Sequence, residues 1–154
     1  MTRDSFDITA WLTLVLSVLA LGSVFAPWSR YAGDGYSGSL AGLDFDGGVV
    51  VLVVALVALI FAITVIVSRN RLLTVVAKTI LLICGVVLAG YGFDALIGSD
   101  RLHGSRAHLP DGIENHVVNF TPGFGPWLLA LSGLALVVVG MWIVYRPHAE
   151  TENA

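Results

Sequence analysis

Apolar residues in this chain neither alternate nor recur on one side; they come in four nearly unbroken runs, 8–26, 49–68, 72–97 and 124–145. Each run is apolar around its whole circumference, the mark of a helix surrounded by apolar matter rather than one with a wet face. At about 1.5 Å of rise per residue, runs of roughly 20 residues reach across a hydrocarbon layer of about 30 Å. Lipid offers no partner to backbone N–H and C=O groups, so only helices or closed barrels cross it. The pattern therefore predicts an all-α membrane protein: four transmembrane helices in a single domain spanning 1–154. Little more than Arg69, Asn70 and Arg71 separates the second and third runs, so these form an antiparallel hairpin. The other connections, 27–48 and 98–123, both fall at the opposite end.

Composition sharpens this. The chain of 154 residues is 56% hydrophobic and 12% charged, whereas soluble domains run at about 45–50% and about 25%. More than half of it lies in the runs, which excludes a water-soluble core, and the remainder is too short for a separate enzyme domain. A net charge of −3 with eight Lys and Arg gives no basic field for nucleic acid. The single cysteine, Cys84, excludes an intrachain disulfide, a CxxC redox pair and a cysteine-based zinc site. Arg3 ahead of the first run, with Val24, Phe25 and Ala26 at its end, has the outline of a secretory signal. The run is longer than the usual core of about 7–15 residues, and Pro27 would follow the cut, so it reads as a retained helix.

Charge placement sets the orientation. Arg3, Arg69, Arg71 and Arg146 crowd the short segments on the hairpin side, whereas Arg30, Arg101 and Arg106 are spread through the two long loops. Both termini are therefore expected in the cytoplasm of a bacterial plasma membrane. The long loops face outward and are acidic, with Asp34, Asp44, Asp46, Asp100, Asp111 and Glu114. Trp28 and Trp127 mark the outer interface; Trp11, Trp142 and Tyr145 lie near the inner one.

Helices in lipid associate through close packing at small residues and shared polar groups. Each run carries such a stripe: Thr13, Ser17 and Ala20; Ala55, Ala58 and Ala62; Thr74, Gly85, Ala89 and Gly92; Gly133 and Gly140. Lys78 is the one charge well inside a run, about 10 Å past Arg71. Its heptad mates Gly85 and Gly92 put it on the packing face. Two roles are open to it: snorkelling back to the cytoplasmic interface, towards Asp7 or the Tyr145 hydroxyl, or coupling to a proton or substrate. No carboxylate lies near a helix centre, which excludes the mechanism of small drug–proton antiporters. Asp94, beside Tyr91 and Gly92, is an outer-interface residue that anchors the end of the third helix.

The outward segments hold the remaining chemistry. Gly33, Asp34 and Gly35 signal a turn between Arg30-Tyr31 and Tyr36-Ser37, hence a short hairpin. Val117, Val118, Asn119, Phe120 and Thr121 have strand composition, ended by Pro122 and Gly123. Together they predict one small extracytoplasmic β-sheet drawn from both loops. Trp28, Tyr31, Asp34, Tyr36, Asp44, Asp46 and Trp127 are the partner-facing candidates. His103, His108, Asp111, Glu114 and His116 offer zinc- or copper-type ligands, though in no compact ligand spacing, and a pH-sensing or plain solvated loop is the competing reading. There is no paired nucleophile and base, no phosphate-cradling glycine loop and no HExxH, so no cofactor and no enzyme is expected.

A first helix ending in Pro27-Trp28, a loop ending in Gly42, Leu43, Asp44, Phe45, Asp46, Gly47 and Gly48, and a fourth helix opening with Gly123, Phe124, Gly125, Pro126 and Trp127 complete the arrangement. It resembles small four-helix integral membrane proteins of bacteria, actinobacterial in type and of unassigned function. In outline it is also similar to the claudins, with four helices and a small extracellular sheet. The claudin signature, Gly-Leu-Trp with paired cysteines, is absent: Asp44 follows Gly42-Leu43 and the loop has no cysteine. The resemblance implies the fold and transfers no catalytic residues. The expected function is that of a non-enzymatic accessory or assembly subunit, or an envelope scaffold, with the lipid bilayer and another membrane protein, or a second copy, as partners. The alternatives are a small transporter or lipid-handling protein using Lys78 and an interhelical groove, and an envelope metal or pH sensor using the loop histidines.

Overall fold

A computed structural model describes residues 3–33, 36–45, 47–68, 71–97 and 119–145, of which 3–7, 33, 36, 71, 119–120 and 142–145 by backbone alone. Four helices, α1 (Arg3–Phe25), α2 (Gly48–Val67), α3 (Arg71–Ile97) and α4 (Gly125–Tyr145), alternate in direction. Each packs on two neighbours, in the ring α1, α2, α3, α4 and back to α1. At one end sits a three-stranded antiparallel sheet of β1 (Pro27–Gly33), β2 (Tyr36–Ala41) and β3 (Asn119–Pro122), ordered β2-β1-β3. At the other is the α2–α3 hairpin. The small sheet from both loops is thus present. The strand expected to begin at Val117 starts, among the described residues, at Asn119.

Local chemistry sets the element ends. Pro27 disfavours helical backbone at Ala26, so α1 stops at Phe25 and the chain extends into β1. The Ser68 N–H closes α2 on the Thr64 carbonyl at 2.8 Å. Pro126 sits in the first turn of α4, where a missing N–H costs no helical bond. Three helices, α1 to α3, are long and apolar enough to cross a membrane.

Side-chain size is distributed opposite to a soluble bundle. The interior is filled by Ala20, Ala55, Ala58, Ala62 and Ala77, by the hydroxyls of Thr13, Ser17 and Ser132, and by few large residues, chiefly Leu88, Leu129 and Leu136. The outside carries the bulk: Ile8 is 68% exposed, Val67 71%, Leu72 76% and Ile97 82%, with Leu131 and Val138 exposed on α4. Among the described residues no buried polar side-chain atom lacks a partner. Thr13 donates to the Ala10 carbonyl at 2.7 Å, Ser17 to Thr13 at 2.8 Å and Ser132 to Leu129 at 3.1 Å. Every one of these hydroxyls is spent on its own helix.

The most extensive helix contact, α3 with α4, is made nearly backbone to backbone. A Cβ on Gly92 would lie 2.5 Å from the Ala130 nitrogen, and one on Gly133 would lie 2.5 Å from the Ala89 nitrogen. Gly85 rests on the Gly133 carbonyl and Val137, and Gly140 on Leu82. Gly85, Ala89, Gly92, Gly133 and Gly140 of the predicted stripes therefore form the α3–α4 seam, and the stripes of α1 and α2 are buried. Gly22 and Gly90, by contrast, face open space. Gly133→Leu should lower stability by about 2–3 kcal/mol through overpacking, whereas Gly90→Ala should leave it unchanged or raise it by up to about 1 kcal/mol through helix propensity. Reversible unfolding in mixed micelles checks both.

Candidate functional site

Two places carry chemistry other than apolar contact: the sheet with the helix ends beneath it, and Lys78.

The sheet turns on Trp28. In the β1–β2 register Pro27 pairs with Ala41 and Ser29 with Leu40, so Trp28 is the extra residue of a β-bulge. A bulge re-aims its side chain, and here the indole turns down into the bundle. Expected among the partner-facing residues, Trp28 is only 5% exposed. Its Nε1–H donates to the Ser23 carbonyl at 2.8 Å, in the last turn of α1. Phe45 lies 5.9 Å away, ring centre to ring centre, tilted by 30°. Gly42 and Gly125 supply the room: a Cβ on Gly42 would lie 2.7 Å from Nε1, and one on Gly125 would run into Cδ1. The Gly123 N–H donates to the Trp28 carbonyl at 2.9 Å. One residue thus ties α1, the sheet, the loop before α2 and the start of α4 together.

Beyond the bulge, alternation resumes and sorts the side chains. Tyr31 packs partly buried over Gly38, its cross-strand partner, where a Cβ would meet the phenol. Arg30 and its register partners Ser39 and Thr121 are exposed together on the far face, with Ser37 nearby. Asp44 is half-buried, and its Oδ2 accepts the Ala41 N–H at 2.7 Å, holding the short 3-10 turn Gly42–Asp44. Asp44, one of the partner-facing candidates, thus braces its own turn. Trp127 is exposed, at 55%, on the first turn of α4. Asp94 is exposed one turn before the end of α3. The sequence carries no local signal for the indole plug, since the glycines that make room for it lie at 42 and 125, and the aromatic-belt rule points such a residue outward.

Lys78 is half-buried on α3 and is not without a partner. The seam contacts Gly92 with Ala130, Ala89 with Gly133, Gly85 with Val137 and Leu82 with Gly140 run in strict antiparallel step. One turn further, the same step sets Lys78 level with residue 144 of α4. The side chains of Asp7 and Tyr145, and residues Asp34, Asp46, His103, His108, Asp111, Glu114 and His116, lie outside the described ones, as does the side chain of Tyr36. Among the described residues no three His, Cys, Asp or Glu come together.

Trp28→Phe keeps the ring but loses the N–H donor; the Ser23 carbonyl still accepts from Ala26 at 3.2 Å, so a loss of about 1 kcal/mol is expected. Trp28→Ala should cost about 3–5 kcal/mol and expose the Arg30 peptide bonds to limited proteolysis while α3 stays protected. No protein-family model matches the chain, and a search of the curated proteins finds no match to it.

Proposed function

We propose that this chain is a non-enzymatic, four-span protein of the bacterial cytoplasmic membrane, both termini inside, that serves as an accessory or assembly subunit or envelope scaffold. The observation that carries the membrane placement is the inverted distribution of side-chain size: small residues inside, a continuous girdle of Val, Leu, Ile and Phe outside. In water such a girdle would be an aggregation surface; in lipid it is the solvated one. Hydroxyls within the girdle support this. Thr64 donates to the Ile60 carbonyl at 2.9 Å and Thr79 to Val75 at 3.1 Å, so neither presents an unmet donor to hydrocarbon. At 21 residues α4 counts as the fourth span.

The bundle's small-residue faces are consumed in its own seams, which narrows the partner surface to the sheet end. There the face carrying Arg30, Ser37, Ser39 and Thr121 is polar and exposed, on a sheet pinned by Trp28. A surface held this firmly binds without first ordering itself, which favours recognition. The closed α3–α4 seam and the self-satisfied interior hydroxyls favour this reading over a transporter working through Lys78 and an interhelical groove.

A photo-crosslinking residue at Ser39, expressed at native level, should give one discrete adduct, with a second copy or one other membrane protein, that a residue at the girdle position Val53 does not give. If Ser39 yields no adduct, and the protein also leaves mild detergent as a monomer with nothing bound, the scaffold reading fails.

A further inference from the structure

The small sheet has an open edge. In the order β2-β1-β3, strand β2 has β1 on one side and, among the described residues, no strand on the other. Which of its backbone groups face the open side follows from the register. Gly33 and Tyr36 close the hairpin as a bonded pair, so Gly38 and Leu40, in step with Tyr36, also turn their N–H and C=O groups towards β1. Ser37, Ser39 and Ala41 turn theirs away. A bond outside the ladder agrees with this phase: the Ala41 N–H goes to Asp44 Oδ2 at 2.7 Å, not to β1. Ser37 and Ser39 hold the remaining outward groups, and among the described residues no backbone hydrogen bond reaches them from that side.

Exposed edges are normally blunted by charge, proline or a covering element. The stretch Tyr36-Ser37-Gly38-Ser39-Leu40 has neither charge nor proline. It is also close to a palindrome about Gly38. Laid antiparallel on itself with Gly38 facing Gly38, it sets Ser37 opposite Ser39, the two residues whose backbone groups point outward. Such a pair exchanges both of its N–H···O=C bonds, and the symmetric pair does the same. Charge permits the approach: Arg30 lies one strand in from the edge, so the two Arg30 positions of a pair are three strand spacings apart, roughly 14 Å, beyond a screening length of about 8–10 Å. Symmetry suits a membrane as well. The two-fold axis between antiparallel strands stands normal to the sheet, and Trp28 and Leu40 pack from the sheet into the bundle while Arg30 is exposed on the far face. That normal therefore runs along the bundle, and two copies related by it enter one bilayer from the same side.

We propose that the partner at the sheet end is a second copy of this chain, joined edge to edge through β2, so that the two small sheets become one continuous sheet over a pair of bundles. This names the partner of the surface described above and rests on that reading. It gives a use to a Ser-Gly-Ser strand left uncharged at an edge. It also gives Asp44 a second consequence: by taking the Ala41 N–H, the carboxylate ends the open edge and confines pairing to the segment around Gly38.

Single-cysteine chains in a Cys84→Ala background, expressed at native level and oxidised mildly in the membrane, test the pairing. The register sets the Cα atoms of Ser37 and of Ser39 in the second copy about 5.5 Å apart. Residue 37 lies roughly 8–9 Å from its own copy, as does residue 39, beyond the disulfide limit of about 7 Å. Differently tagged Ser37→Cys and Ser39→Cys chains should therefore give a mixed disulfide dimer at least tenfold in excess of either variant with itself. Adding Ser39→Pro to the Ser37→Cys chain removes an outward N–H and leaves the bonds to β1 in place, so it should cut the mixed dimer at least fivefold. No mixed dimer, equal yields from all three combinations, or no effect of the proline overturns the pairing; an edge covered by residues 98–118 of the same chain would give the first of these. If Ser39 crosslinks to a different membrane protein, the pairing fails and the scaffold reading stands. If an alkaline wash strips the chains from the membrane, the membrane placement itself has failed.

Discussion

Close approach of two backbones, α3 against α4 through Gly85, Ala89, Gly92, Ala130 and Gly133, is the contact on which the other features depend. With almost no side chain between them, the helices cannot slide without driving a Cβ into a carbonyl or an amide. The seam therefore fixes an axial register. At one end that register brings Gly125 beneath the indole of Trp28; at the other the same step sets Lys78 level with residue 144 of α4. A bundle joined through long interdigitating side chains would have had rotamers with which to absorb a shift. This one has few.

The sheet shows how the register is passed outward. Trp28 belongs to β1 by sequence, to the end of α1 through its bond to Ser23, and to the start of α4 through Gly123 and Gly125. A single bulge accomplishes the change from bundle to sheet, sending the indole down and leaving Arg30 pointing away. Short strands of Ser and Gly have little cohesion of their own. Their order derives from the plug, and Asp44 adds a brace at the turn that follows.

Much of this was legible in the amino-acid sequence, because hydropathy and small-residue spacing report directly on helix interiors. The runs at 49–68 and 72–97 agree with α2 and α3 to within a residue. The stripe at Ala55, Ala58 and Ala62 is wholly buried. The run starting at 8 misses the first turns of α1 because Arg3, Asp4 and Asp7 extend the helix without being apolar. The turn signal at Gly33, Asp34 and Gly35 falls where β1 gives way to β2, whose register closes at Gly33 with Tyr36. What the sequence conceals is long-range. Counting from Arg71 puts Lys78 about 10 Å inside its own helix, but only the register with α4 sets it level with residue 144. Likewise no local rule says that Trp28 turns inward; the room for it comes from glycines 14 and 97 positions away.

The inverted packing has a consequence for how such a chain tolerates change over time. In a water-soluble domain the core restricts the alphabet and the surface is permissive as to polarity. Here the girdle accepts Val, Leu, Ile and Phe almost interchangeably, since each exposes similar surface to the same surroundings. The seams admit only residues that add no volume. Two descendants of one ancestor could then differ at most of their large residues and still superimpose, sharing little more than a few glycines, alanines and one tryptophan. Identity between them would be low although the architecture had not moved. Kinship in a protein of this kind is carried by the residues with the smallest side chains.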